Sequence, residues 1–243
     1  MVKNSIILEI EKLLDNKKIL DYNILSDSFG INCLKIETED KERYIVKYYY
    51  KKEGKFNAIK SEADNILFLN SHKFDFFPKI INNNNKFLIM SFIDNNNNLP
   101  IKTNHDLLGA IISLHSKRSN NYGFIFDTQI GGLKQSNSNS KNWVEFYGDK
   151  RLHYIFDLIS KNQPMDKAIN TKIELLLKKI DNFIPIKPKA SLLHGDLWEG
   201  NILFKNKKFS GFIDPGSFYG HNELEISYLR WFNPKFIDRN FLD

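Results

Sequence analysis

Three polar residues are spaced as phosphoryl-transfer chemistry needs them. In SLLHGDLWEGN, Asp196 is followed five residues later by Asn201; thirteen residues further on, the run GFID ends on Asp214, just before Pro215 and Gly216. A loop that curls back over five residues turns Asp196 and Asn201 toward one pocket. An aspartate there can take the proton of an attacking hydroxyl. An asparagine offers a neutral oxygen to a magnesium ion whose other ligands are phosphate oxygens and a carboxylate. Asp214, at a strand end beside a turn, is placed to be that charged ligand. His194 reads as a brace that ties the loop by hydrogen bonds. HGD alone is a weak signal and the full spacing is a specific one. Hydrolysis by a metal centre needs several His or carboxylate ligands, but of the six histidines only His194 lies in the cluster, with His221 an outlier. No GxSxG elbow supports a serine hydrolase.

A kinase also needs a cation for the nucleotide. In RYIVKYYY, alternation puts Ile45 and Lys47 on one strand face. Lys47 then reaches the α- and β-phosphates while Ile45 packs on the adenine. Glu62, on the helix that follows, pairs with Lys47 and fixes its direction. Upstream, SDSFGINCLKIE stands where a hairpin covers the phosphates. Its single glycine is Gly30, with Ser26 and Ser28 as donors beside the backbone N–H groups. Without GxxxxGK[ST] it is not a Walker site. KFLIMSFID supplies a strand and linker along the adenine, Met90 to Phe92 offering backbone hydrogen bonds. The implied cofactors are ATP and Mg2+.

These side chains need elements to hold them. Ile6 to Leu14 has helical spacing. Ile31 to Thr38 and Arg43 to Tyr50 read as strands joined by a polar hairpin connection, and Ala58 to Asn70 as a helix. PKII and KFLIMSFI read as strands separated by Asn82 to Asn85. The run Asn95 to Asn98 suits a hinge, since asparagine tolerates turn geometry. Beyond it come helices over 106–116, 143–160, 167–183 and 223–231, a Gly- and Ser-rich irregular loop over 124–140, and short apolar runs SLLH, NILF and FSGFID. The expectation is an α+β bilobal protein-kinase-like chain: a β-rich nucleotide-binding lobe over 1–93 and a mainly helical catalytic and substrate lobe over 94–243.

The chain of 243 residues has material for one large domain or two small lobes. A lone Cys33 excludes an internal disulfide framework and fits a reducing compartment. With no apolar leader and no run near 18 residues, the reading is cytoplasmic, with no membrane partner. The formal charge of +6 is scattered over pairs such as Lys17-Lys18, Lys51-Lys52, Lys178-Lys179 and Lys207-Lys208, so no nucleic-acid partner is expected. The oligomeric expectation is a monomer or weak homodimer.

LLHGDLWEGN followed by FIDPGSFYGHNELE resembles the fructosamine kinase (ketosamine-3-kinase) family, in the aminoglycoside phosphotransferase-like branch of the protein-kinase-like fold. FPKIINNNNKFLIMSFI, LLGAIISLHS and NYGFIFDTQIGGLKQSN with Trp143 and FYGDKRL extend the likeness along nearly the whole chain. The resemblance implies ATP-dependent phosphorylation of the 3-hydroxyl of ketosamines such as ribulosamine or fructosamine, free or on protein lysines, with deglycation as the outcome. It implies Asp196 as base, Asn201 and Asp214 as metal ligands, Lys47 on the phosphates and Glu62 orienting it. Trp198 would line the sugar side, Glu223 and Glu225 would brace the catalytic loop, and Arg151 would serve the C-terminal lobe similarly. The hairpin departs from the family in lacking paired glycines, with Ser28 and Phe29 before Gly30. Family members run about forty residues past the position of Asp243 and FIDRNFLD looks like a helix beginning, which implies a minimal lobe or a C-terminally truncated chain. Two alternatives stay open: a kinase of another small hydroxyl compound (aminoglycoside, choline or sugar-like metabolite), and a nucleotide-binding pseudokinase scaffold.

Overall fold

The computed structural model describes residues 2–51 and 56–242; Lys52, of the second lysine pair, and Asp243 lie outside them. Helix α1 (Asn4–Leu13) precedes a five-stranded antiparallel sheet and α2 (Ala58–Ser71). The strands are β1 (Ile19–Ser28), β2 (Ile31–Thr38), β3 (Arg43–Tyr49), β4 (Ile80–Asn83) and β5 (Phe87–Ser91), in spatial order β1-β2-β3-β5-β4. Alternation divides the sheet between two cores. Tyr44, Val46 and Tyr48 of β3 join Phe87 and Ile89 of β5 under Ile10 and Leu14. Leu88 and Met90 face Ile59, Ala63 and Ile66 of α2, with Ile45 packed against that group. Lys47 therefore shares the α2 face with Ile45, as the two-residue period requires.

Strand β1 has no counterpart in the sequence expectation. It carries two register irregularities, between Ile19 and Asp21 and between Ile24 and Ser26, and most of its residues are exposed, so no alternation marks it. Its hairpin with β2 closes over two residues, Phe29 (φ +52°) and Gly30 (φ +76°), with Ser28 paired to Ile31. Positive φ at both central positions is the tight-turn geometry whose twist matches antiparallel strands. Phe29 holds this conformation while packing on Gly131 and Gly132, where a Cβ on Gly132 would meet its side chain at 2.8 Å.

The remainder is mainly helical: α3 (His105–Ser116), α4 (Trp143–Tyr147), α5 (Tyr154–Asn162), α6 (Lys167–Lys178), α7 (Asn222–Trp231) and α8 (Arg239–Leu242). Between α4 and α5, Gly148–His153 forms π-helical turns inside what reads as one continuous helix. The short strands are β6 (Arg118–Ser119), β7 (Thr128–Ile130), β8 (Leu133–Gln135), β9 (Ala190–Leu193), β10 (Ile202–Lys205), β11 (Lys208–Phe212) and β12 (Phe218–His221). β7 and β8 make a hairpin within the segment read as irregular; three-residue strands around Gly131-Gly132 are too short to show a period. β12, β9 and β6 make a small antiparallel sheet, and β10 pairs with β11. An aromatic-rich core containing Trp143, Phe146, Phe204, Phe212, Phe218 and Phe236 backs these strands. The second asparagine run is tied down: Asn96 N–H donates to Phe204 O at 3.0 Å, and Asn206 N–H donates to Asn96 Oδ1 at 3.0 Å.

Candidate active site

Lys47 Nζ stands 2.7 and 2.8 Å from the two carboxylate oxygens of Glu62 and 2.8 Å from Asp214 Oδ1. Lys47 is 9% exposed and Glu62 4%. Burial works against the Lys47 charge, but two carboxylates in contact hold the ammonium protonated. The Glu62 carboxyl is pushed up by burial and by the Asp214 charge, against the pull of Lys47. Helix α2 is itself docked on the C-terminal part: Ser61 Oγ donates to Asp127 O at 3.1 Å, and Asn65 Oδ1 accepts the Ser217 N–H at 3.3 Å. One face of α2 thus carries Ser61, Glu62 and Asn65, and fixes Lys47 relative to the Asp214 loop.

The loop after β9 is held from three sides. Asn201 Nδ2 donates to Asp196 O at 2.8 Å and to Asp196 Oδ2 at 3.2 Å, which closes the five-residue curl. His194 is fully buried; its Nδ1 accepts the Asp196 N–H at 3.3 Å, and its ring lies at 5.8 Å from Phe77 and 5.6 Å from Phe212. Burial lowers its pKa, so the imidazole stays neutral. The His194 carbonyl accepts from Gly216 N–H at 2.9 Å and Ser217 Oγ at 3.3 Å. Gly195 (φ +88°) runs so close to the Asp214 loop that a Cβ would lie 2.1 Å from Gly216 O. That contact permits no side chain.

Glu225 of α7 supplies the third side. It is 3% exposed and accepts the His194 N–H at 3.1 Å, the Gly195 N–H at 2.8 Å and His115 Nε2 at 2.8 Å. Burial raises its carboxyl, but the His115 bond, the His115 and His194 rings and the Gly195 N–H together hold it below the usual range. Of the acidic pair carried over from the resemblance, only Glu225 contacts the loop; Glu223 is exposed. His115 was missed by sequence reasoning. Its place on the apolar face of α3, one turn after Ile111, was the available signal, because a buried polar ring requires a partner.

Asp196 and Asp214 lie near enough for their charges to interact. Burial, and then the Asp214 charge, push the Asp196 carboxyl up to about 6 although the Asn201 bond opposes them. Asp214 takes a left-handed conformation (φ +57°), uncommon for a residue with a side chain. Asn201 turns its NH2 to Asp196, which leaves its oxygen for a ligand. One amide oxygen and one carboxylate form an oxygen-only set that suits magnesium, which completes its shell with phosphate oxygens and water. Among the described residues no cluster of three or more His, Cys, Asp or Glu could hold a metal ion by itself.

The remaining sequence candidates divide. Ile45 pairs in register with Met90, Gly30 forms the turn between β1 and β2, and Cys33 is the register partner of Lys47. Ser28 is exposed at the end of β1. Of the backbone groups expected to serve the adenine at Met90 to Phe92, two N–H groups are engaged within the protein: Ser91 N–H donates to Lys79 O at 2.9 Å and Phe92 N–H to Arg43 O at 3.3 Å. The Phe92 ring lies 4.7 Å from both Lys35 and Arg43. Trp198, 37% exposed, packs at 5.3 Å from Phe232, and a Cβ on Gly200 would meet its indole at 2.4 Å. Burial pushes the Cys33 thiol up to about 12, which makes it inert.

Known proteins resemble this chain in sequence and in fold. The fructosamine kinase family profile matches residues 9–241. A chloroplastic protein-ribulosamine 3-kinase of Arabidopsis thaliana is 35% identical over 161 residues, 64% of this chain and 48% of its own. A ketosamine-3-kinase of Mus musculus is 38% identical over 111 residues, 46% of this chain and 36% of its own. The chain thus spans half or less of the length of these curated relatives. In fold, it matches a candidate fructosamine-3-kinase structure from Thermobifida fusca with a TM-score of 0.80 at 20% identity, over 95% of this chain and 80% of that one. An ADP-bound aminoglycoside phosphotransferase matches with a TM-score of 0.60 at 17% identity, over 92% and 74%. The fold is α+β and kinase-like, and by the extent of the family match the chain belongs to the fructosamine kinase family.

Proposed function

We propose that this chain is an ATP-dependent kinase that phosphorylates the 3-hydroxyl of a ketosamine, with residues 1–93 as the nucleotide-binding lobe and 94–243 as the catalytic and substrate lobe. The observation that carries the reading is the contact of Lys47 with both Glu62 and Asp214, with the Asp214 charge reaching Asp196 and Asp196 bonded to Asn201. Lys47 holds the α- and β-phosphates, and Glu62 keeps its direction. Asp196 accepts the hydroxyl proton as the sugar oxygen forms its bond to the γ-phosphorus and the bridging oxygen leaves with ADP. Asn201 and Asp214 would hold magnesium, which when bound neutralises charge on the phosphate oxygens. Positioning does most of the rest. Trp198 offers an aromatic face to the C–H groups of a sugar. The phosphorylated product is unstable and sheds its sugar, which amounts to deglycation.

The test is ADP release with ribulosamine, fructosamine, erythrulosamine, free amino sugars, choline and aminoglycosides. Turnover on the ketosamines is expected, and Asp196→Asn is expected to lower kcat by at least ~100-fold, as loss of a positioned base does. Turnover confined to choline or aminoglycosides would reject the ketosamine reading. Full activity in Asp196→Asn would reject the assigned base.

A further inference from the structure

Beside the catalytic loop lies a cavity of about 480 Å3, between the Gly148–His153 turns, α5, α6 and α7. This volume is in the range of small-molecule sites. Gly195 and Leu197, the two neighbours of Asp196, form part of its wall. So does Tyr228, whose hydroxyl is pushed up by burial and then by the Asp196 charge, which sets the cavity next to the reacting group. The wall is otherwise mostly apolar, with Phe156 and Ile173 among its side chains, and it carries two charged residues, Arg151 and Glu225.

The two charges differ. Glu225 is saturated by His115 and the two backbone N–H groups. Arg151 donates only to neutral oxygens: Nη1 to Ser136 O at 2.9 Å and Lys150 O at 3.1 Å, and Nη2 to Asn137 Oδ1 at 2.7 Å. Its Nε has no partner, and Phe146 and Phe218 flank the guanidinium at 4.8 and 4.2 Å. Among the described residues no carboxylate lies within ion-pair distance of it; Asp127, whose charge reaches it, is paired with Lys134 at 2.7 Å. Arg151 is half-buried, and a guanidinium drawn this far out of water is commonly paired with a carboxylate. Arg151 sits on π-helical turns, a distortion that recurs at functional sites. The cavity therefore has one cation with no carboxylate in contact, an apolar body, and an anionic side toward Asp196.

We propose that this cavity seats the amino-acid half of a ketosamine built on a free apolar α-amino acid, with the carboxylate toward Arg151 and the side chain against Phe156 and Ile173. The inference rests on the ketosamine kinase reading above and narrows its substrate class. In such an adduct the sugar C1 is bonded to a secondary ammonium, and the carboxylate is one carbon beyond it. With the 3-hydroxyl at Asp196, the ammonium falls on the anionic side and the carboxylate enters toward the cation. An adduct on a protein lysine carries no carboxylate at that distance and brings a peptide chain behind its four-carbon stem.

The test compares fructosamines of leucine, of isopentylamine (leucine without its carboxylate), of glycine and of the ε-amine of a blocked lysine, with Mg-ATP and the full chain. The leucine adduct should exceed the isopentylamine adduct in kcat/KM by roughly tenfold or more, the usual weight of a charge-assisted hydrogen bond, and should also exceed glycine and lysine. Equal values for leucine and isopentylamine, or preference for lysine, overturn the proposal. Arg151→Met should erase the leucine advantage; because it also frees Ser136 and Asn137, Ile155→Trp serves beside it. Ile155 is on the rim and 37% exposed, so the variant should fold while raising KM for the leucine adduct and leaving KM for ATP unchanged. An unchanged KM for the leucine adduct in folded Ile155→Trp counts against the cavity. Calorimetric binding of the leucine and isopentylamine adducts separates the two readings. If no adduct turns over, the kinase reading fails, while tighter binding of the leucine adduct still supports the cavity and equal or absent binding rejects it.

Discussion

Replacing Glu225 by glutamine keeps size and shape but removes an acceptor. Oriented to accept from Gly195 N–H, the glutamine turns its NH2 toward the His194 N–H; flipped, it opposes Gly195 instead. One buried backbone donor is orphaned either way, at a cost of about 1–3 kcal/mol. The bonds that survive lose charge assistance, of order 1 kcal/mol in total. The expected loss is therefore about 2–4 kcal/mol, read as a lower denaturation midpoint at unchanged m. Catalysis should suffer as well, because Gly195 precedes Asp196: kcat should fall while KM for ATP holds. The pH dependence has a definite sign. A carboxyl held below its unfolded value contributes fully above that value, about 4.3, and loses its contribution as pH falls through the lowered folded pKa. The stability gap between wild type and Glu225→Gln should thus be constant near neutrality and narrow below about pH 4.3. A gap under about 0.5 kcal/mol at pH 7, within the scatter of surface substitutions, would refute the bracing argument.

Further expectations concern neighbouring groups. For the free enzyme, kcat/KM should rise with pH as Asp196 ionises, with an acid limb near 6; a limb at or below 4 would mean that burial does not control it. Glu62→Gln should lower kcat/KM for ATP by at least ~10-fold yet cost less stability than the ~3–5 kcal/mol typical of a broken buried pair, because Lys47 keeps Asp214; calorimetric unfolding checks the second half. Gly200→Ala should displace the Trp198 indole, visible as a shift in tryptophan emission and a raised KM for ketosamine; an unshifted spectrum would contradict the 2.4 Å approach. Alkylation of Cys33 at pH 8 should be roughly 1,000-fold slower than for a free thiol, since the thiolate is the nucleophile, and a rate near that of the free thiol would refute the burial argument.

Much of the site was legible because it follows local periods. Strand alternation put Lys47 beside Ile45, and helical spacing put Glu62 on the neighbouring helix. Asp196, Asn201 and Asp214 were legible from separation in sequence alone. What escaped depends on distant packing. β1 is exposed and bulged, so it shows no alternation. The β7–β8 hairpin is made of strands too short to have a period. The π-helical turns keep helical composition while changing the hydrogen-bond ladder, so Arg151 looked like any basic residue on a helix. Its lack of a carboxylate depends on where Asp127 and Lys134 fall in space. His115 showed its burial in its spacing, but its partner lies 110 residues away. The occupied N–H groups of Ser91 and Phe92 depend on β-bridging that no side-chain pattern reports.

The tip of the first hairpin also has a mechanical consequence. Phe29 rests on Gly131 and Gly132, and the segment leading into that second hairpin is fastened to α2 through Ser61 and Asp127. The covering strand pair is thus one arm of a closed loop of contacts that runs through α2 and back to the sheet. On the proposed kinase reading, lifting the tip far enough for nucleotide to leave must either break the aromatic seat or drag Gly131-Gly132 along with it. Product escape would then move together with the second hairpin, and a larger residue at 132 is expected to act as a wedge on turnover from outside the reacting groups.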